Sequence, residues 1–237
     1  ANLTPAKRAL YGMIQASTYD NEANLPDDYI SSLYESYPPQ LISAYLRGQF
    51  VNLTSGAVYP DFDRKLNHTD EEIKSGEHLI IGMDFNVLKM AAVVYVIREG
   101  KPLALDEMVG VRDTPTMATL LIERFPFHEM TVIPDAAGQS TSSKNSSESD
   151  HQILRDKGFT VEVDGINPAI KDRINAVNAL ILNGDNERTL LVNTNKRPRF
   201  TETLEQQVYD DFGMPDKKSG LDHVGDAGGY PLAKRFP

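Results

Sequence analysis

The chain has 237 residues, with 24 Lys and Arg against 34 Asp and Glu, a formal charge of −10, and 40% hydrophobic residues. That balance excludes a wholly disordered chain, and the acidic charge argues against a simple nucleic-acid binder, whose affinity comes from Lys and Arg releasing counterions from phosphates. With no cysteine, disulfides, zinc–thiolate sites, iron–sulfur clusters and cysteine nucleophiles are excluded, and no apolar run approaches the roughly 18–20 residues that span a bilayer.

Composition changes near residue 76. Residues 1–76 are poor in apolar residues and broken by prolines. LPDDYISSLYESY (25–37) reads as a helix, with Asp27 or Asp28 near its start and Ile30, Leu33, Tyr34 and Tyr37 on one face. PPQLISAYLRG (38–48) reads as a second, opened by proline and closed by Gly48. QFVNL and GAVYPDF read as short strands or extended segments. This portion is expected to be a linker or the tail of a missing domain rather than a unit that folds alone.

From residue 77 the pattern is regular. HLIIGMDFN is a buried strand that ends at an acidic residue. AAVVYVIREGKPLALDEMVGV reads as two strands joined at EGKP. TPTMATLLIERF is helical, with Thr114 as N-cap and Pro115 at the first helical position. MTVIPDA is a second buried strand that ends at aspartate. GQSTSSKNSSESD reads as a mobile loop. HQILRDKGF is a short helix and FTVEVD a strand. NPAIKDRINAVNALILNG is the best amphipathic helix, with Ile170, Ile174, Val177, Leu180 and Ile181 at helical spacing and Gly184 at its end. RTLLVN is extended, TETLEQQVYDDF helical, and LDHVGDAGGYPLAKRF a last helix. The class is α/β, a mixed central β-sheet flanked by helices, and the order β-β-β-α-β-α-β-α resembles the ribonuclease H fold.

Asp84 and Asp135 each end a buried strand. Either could cap a turn or pair with arginine, because a buried carboxylate needs a partner. If the two strands are parallel neighbours, both carboxylates lie at one sheet edge and repel each other unless a cation lies between them. In LDHVGDAGGY, Asp222 and Asp226 are four apart and His223 and Asp226 three apart, so each pair shares a helix face. That face is either solvated or the third part of an oxygen-rich cluster suited to magnesium or manganese. Such a cluster reconciles an acidic chain with nucleic acid, because two-metal nucleases gather carboxylates where the ions supply the positive charge.

With these motifs in order, the chain resembles the C-terminal nuclease part of tailed-phage terminase large subunits, the motor and nuclease of DNA packaging. ASTYDNEANLP and PPQLISAYLRGQFVNLTSGAVYPDF are similar to the segment joining ATPase and nuclease domains. GMDFN resembles the first-strand aspartate motif, VIPDAAG the second, and LDHVGDAGGYPL the closing one. The resemblance implies a ribonuclease H-like nuclease over 77–237 after a linker or ATPase-domain tail over 1–76. It implies Asp84, Asp135 and Asp226 as catalytic metal ligands, with Asp222 or His223 as a further ligand, for two Mg²⁺ or Mn²⁺ ions. His223 is alternatively a supporting or surface residue, or a proton shuttle. GDAGGY departs from the family in having two glycines where a helix former and an arginine are frequent.

The implied activity is two-metal hydrolysis of phosphodiester bonds in concatemeric double-stranded DNA. The implied partners are an N-terminal ATPase domain, the small terminase subunit and the portal protein, in the host cytoplasm and away from membranes. No GxxxxGK[ST] loop occurs, and the chain starts with Ala, so it is expected to be a piece of a longer motor. Lys171 and Arg173, the KRPR cluster (Lys196, Arg197, Arg199), and Lys217 with Lys218 are either phosphate contacts or solvated faces. Glu107 carries no distinguishing pattern. Two alternatives stand beside the nuclease reading: a resolvase-like nuclease of the same fold, and a catalytically silent module that docks DNA or the portal.

Overall fold

The computed structural model describes residues 16–37, 42, 45–46, 56–86, 88–136 and 149–237. A six-stranded mixed sheet is ordered β5-β4-β1-β2-β3-β6. Its strands are β1 Leu79–Asp84, β2 Met90–Arg98, β3 Lys101–Val111, β4 Met130–Pro134, β5 Thr160–Val161 and β6 Leu191–Val192. β1, β2 and β3 form an antiparallel meander, whereas β4 lies parallel to β1, β5 parallel to β4, and β6 parallel to β3. The helices are α1 Tyr29–Ser36, α2 Thr114–Arg124, α3 Asp150–Asp156, α4 Ile170–Ile181, α5 Pro198–Gln206 and α6 Asp222–Arg235, and a 3₁₀ helix spans Thr18–Asn24.

β1 is buried along its whole length, and its period-2 alternation feeds two cores. Leu79, Ile81 and Met83 meet Met117, Ala118 and Leu121 of α2 and Leu154 of α3 on one face. Ile80, Val93 and Tyr95 meet Ile174, Val177 and Ile181 of α4, Phe200 of α5, and Val224, Ala227 and Tyr230 of α6 on the other. A sheet covered on both faces carries near-continuous apolar strands, which is why LIIGM and AAVVYV read so clearly. The β2–β3 turn uses Glu99 and Gly100, both at positive φ, at the expected EGKP position.

Residues 56–69 precede the composition change yet pack into the same core. Val58 and Tyr59 belong to the α4–α6 face. The fully buried Asn67 amide donates to the carbonyls of Ile181 and Leu190, which closes the end of α4. GAVYPDF forms only an isolated antiparallel bridge between Ala57 and Val208.

Several boundaries differ from the sequence expectation. The N-cap of α2 is Asp113 rather than Thr114, because the Asp113 carboxylate reaches the Thr116 amide at 3.0 Å, while the Thr114 hydroxyl donates to Asp150. α4 ends at a Leu182 C-cap, and Gly184 instead makes room for Tyr34, whose ring carbon would lie 2.7 Å from an added Cβ. α5 runs from Pro198 to Gln206, so VYDDF leaves the helix. FTVEVD contributes only two strand residues. The GQSTSSKNSSESD loop up to its last two residues, Ser149 and Asp150, which open α3, lies outside the described residues, as do QFVNL and most of PPQLISAYLRG.

Helix α6 sets the geometry that matters most. Pro231 removes one backbone donor inside the helix, and its ring and the Ala227 carbonyl press against β1 at Gly82. Gly228 admits the Phe200 ring, and its carbonyl accepts from the Tyr95 hydroxyl at 3.0 Å. Gly229 is equally close-packed: an added Cβ there would lie 2.7 Å from Arg173 Cγ. Among the described residues, no helix is long and apolar enough to cross a membrane.

Candidate active site

β1 and β4 place two carboxylates side by side. Met83 pairs with Pro134 in parallel register, and the Asp135 amide donates to the Met83 carbonyl at 3.0 Å, so Asp84 and Asp135 leave adjacent strands together. α6 crosses this edge and brings Asp226 within electrostatic reach of Asp84. Asp84 is buried, and its carboxyl is pushed up to about 6, first by burial and then by the Asp226 charge, with Asp135 adding to it and His223 opposing it.

Each carboxylate has a specific partner. His223 Nδ1 lies 3.1 Å from Asp84 Oδ2, and the Asn86 amide nitrogen lies 2.7 Å from His223 Nε2. With Asn86 donating to Nε2, Nδ1 carries the proton and donates to Asp84. The Asn167 amide donates to Asp135 Oδ1 at 2.5 Å, and its carbonyl accepts from the Ala136 amide at 2.7 Å. His151 Nε2 donates to the Asp135 carbonyl at 2.9 Å. Arg173 of α4 donates to Asp226 Oδ1 at 2.5 Å, and burial nonetheless raises the Asp226 carboxyl above its ordinary range. Asp222, one turn earlier, is buried; its Oδ1 has no hydrogen-bond partner among the described residues, and its charge pushes Asp226 further up.

Asp84, Asp135, Asp222, His223 and Asp226 thus occupy one edge. Among the described residues, no three acidic or histidine side chains converge closely enough to form a ligand shell as they stand. Instead, His223, Asn167 and Arg173 each hold one carboxylate. The donor set still fits a divalent cation. Its oxygens are hard, Asp84 is held against ionisation by burial and its acidic neighbours, and Asp222 Oδ1 is an orphaned buried acceptor. A cation beside Asp84 would relieve the strain on that carboxyl.

Sequence reasoning missed Asn167, His151 and the partner of Arg173. Arg173 is buried rather than solvated at the helix start. The KRPR cluster is engaged within the fold: Lys196 with Glu72, Arg197 with Asp106 at 3.2 Å, and Arg199 with Glu202 at 2.5 Å. Glu107 accepts from the Arg199 and Phe200 amides at 3.1 and 2.8 Å and so caps α5 from across the sheet. Pro198 at the helix start, with no local capping side chain, was the available signal.

Residues 81–235, well over half of the chain, match the model of the terminase RNaseH-like domain. The chain matches no curated protein sequence. Among solved structures it is similar to the large terminase of a thermophilic bacteriophage (TM-score 0.69, 18% identity), over 91% of this chain and 54% of that one. It thus spans about half the length of that relative. It is similar to the P22 large terminase nuclease domain (TM-score 0.58, 18% identity; 78% of this chain, 95% of that). It also resembles the large terminase nuclease of the thermophilic phage G20c with bound magnesium (TM-score 0.50, 14% identity; 76% and 96%). At these identities the structural likeness shows a shared fold, and with the family match over 81–235 the chain belongs to the terminase RNaseH-like domain family.

Proposed function

We propose that the chain is the endonuclease of a phage DNA-packaging motor, hydrolysing phosphodiester bonds of concatemeric double-stranded DNA with divalent metal. The observation that carries this reading is the placement of Asp84 and Asp135 at the ends of adjacent parallel strands with Asp226 facing them from α6, in a chain of this family. Asp84, Asp135 and Asp226 would hold two Mg²⁺ or Mn²⁺ ions, with Asp222 or His223 as the further ligand. The G20c nuclease was crystallised with magnesium, which supports this choice. Such ions supply a water of lowered pKa as nucleophile and compensate charge on the leaving 3′ oxygen.

The protein's own residues orient this site. Asn167 fixes the Asp135 carboxylate, and His223 donates to Asp84, which also places an imidazole where it can relay a proton. Lys217, near enough to pull the Asp226 carboxyl down, and the exposed Lys218 are suited to phosphate. The large terminase of the thermophilic bacteriophage, of which this chain covers about half, was also solved with ATP-γ-S. That supports an ATPase domain in the whole protein. The partners this reading implies are the small terminase subunit and the portal, in the host cytoplasm. The absence of a ready-made ligand shell among the described residues favours one second reading, a catalytically silent docking module.

Cleavage of supercoiled plasmid separates the two. Nicking and linearisation are expected with Mg²⁺ or Mn²⁺, and neither with EDTA nor in Asp84→Ala. Folded protein that cuts nothing with any of these metals would support the docking reading instead.

A further inference from the structure

Arg173 enters the site from within the fold. It is 4% exposed and belongs to α4, yet the partners that hold its side chain lie on α6. Its Nη2 donates to Asp226 Oδ1 at 2.5 Å. Its guanidinium carbon lies 4.6 Å from the centroid of the Tyr230 ring. Its stem crosses Gly229, where an added Cβ would meet Arg173 Cγ at 2.7 Å and Cδ at 2.8 Å. Positions 226, 229 and 230 are spaced i, i+3, i+4, so a single helix face is shaped around this one side chain.

The surroundings of Asp226 explain why a cation is needed there. Asp84 and Asp222 both add negative charge near it, and it is itself partly withdrawn from solvent. A carboxylate so placed is unfavourable unless a positive group balances it. The guanidinium donates to one defined oxygen, Oδ1, from a stem held by Gly229 and a plane set over the Tyr230 ring.

We propose that Arg173 is the resident counter-cation of the site: it orients Asp226 and balances its charge when no divalent ion is bound, and yields part of that role when an ion binds. This rests on the reading of Asp226 as a metal ligand. Arg173 is then a positioning residue acting through Asp226, and its removal has two opposed effects. The metal-free protein loses the partner of a half-buried carboxylate, while the site becomes more negative and takes up a cation more readily.

Thermal melting of the 237-residue chain with Mn²⁺ alone, without DNA, tests this. Arg173→Gln is expected to lower the metal-free Tm. Saturating Mn²⁺ should raise the Tm of Arg173→Gln by at least about 3 °C more than it raises wild type, so that the gap narrows. Arg173→Lys, which keeps the charge but loses the planar group over the Tyr230 ring, should fall between them. In an Asp226→Asn background, Arg173→Gln should leave the Mn²⁺ shift unchanged.

Equal Mn²⁺ shifts in wild type and Arg173→Gln would overturn the proposal and leave a plain structural ion pair between α4 and α6. If Arg173→Gln does not fold, Arg173→Lys carries the test, and a shift equal to wild type overturns it likewise. No Mn²⁺ shift in wild type would instead bring down the metal reading itself, and this proposal with it.

Discussion

At Gly82 the backbone of α6 comes so close to β1 that an added methyl carbon would lie 1.8 Å from the Ala227 carbonyl oxygen and 2.6 Å from the Pro231 ring. Neither neighbour is a flexible side chain that can swing aside. Proline has removed the amide that would otherwise bond that carbonyl, so the oxygen and the ring both face the strand. Any side chain at position 82 must push α6 off the sheet. Asp84 is two residues along the strand and Asp226 immediately precedes Ala227, so the same displacement separates the two carboxylates. Gly82→Ala should therefore reduce unfolding free energy by about 3 kcal/mol or more in urea denaturation, the upper range for overpacking against rigid neighbours. Gly165→Ala is the control, because a Cβ there meets nothing within 4 Å, and it should stay within about 0.5 kcal/mol of wild type. Equal stability of the two variants would mean that the α6–β1 contact is looser than this packing implies.

Helix ends show the same dependence on single groups at the scale of elements. α2 is opened by Asp113, whose Oδ1 accepts from the Thr116 amide at 3.0 Å and the Thr116 hydroxyl at 2.5 Å. These bonds hold its carboxyl down at about 2, below the ordinary carboxylate value. A carboxyl whose pKa is depressed by folding contributes stability above the unfolded value near 4 and loses it as pH falls toward 2. Asp113→Ala should cost about 1 kcal/mol at neutral pH, and the difference from wild type should shrink across that acidic window. A constant difference from pH 7 to pH 2 would show that the carboxylate does not cap the helix. What was legible in the sequence follows this division between local and distant. The strands β1, β2 and β4 and the faces of α4 were readable because burial on a period of 2 or 3.6 is written in consecutive residues. The carboxylates were readable because a charge at the end of an apolar strand is conspicuous. The Glu107 cap on α5, the Arg173 pair with Asp226 and the Asn167 bond to Asp135 join residues 93, 53 and 32 positions apart. No local pattern marks such partners, because the fold brings them together only after both elements have packed.

For the whole molecule the governing quantity is a net charge of −10. Many of its cations are also engaged within the fold: Arg64 with Glu205, Arg98 with Glu71 and Glu77, Lys234 with Asp164, Arg235 with Glu162. These pairs leave fewer side chains to displace the counterions of a duplex, and displaced counterions are what drive non-specific DNA binding. At the site itself, Asp84, Asp135 and Asp226 repel phosphate unless a divalent ion offsets them. The chain should then bind duplex DNA weakly without metal, with Kd above about 10 µM at physiological salt, in the weak half of the usual non-specific range. Ca²⁺ should tighten binding about tenfold or more, because the ion reverses the local field where the backbone must approach. Fluorescence anisotropy of a labelled duplex, in EDTA and then in Ca²⁺, measures both numbers. A sub-micromolar Kd in EDTA would mean that a basic surface outside this carboxylate edge grips the DNA, and the metal would then serve the chemistry alone. Weak binding that tightens with Ca²⁺, and fails to tighten in Asp84→Ala, would place the DNA at this edge and make metal the link between holding the strand and cutting it.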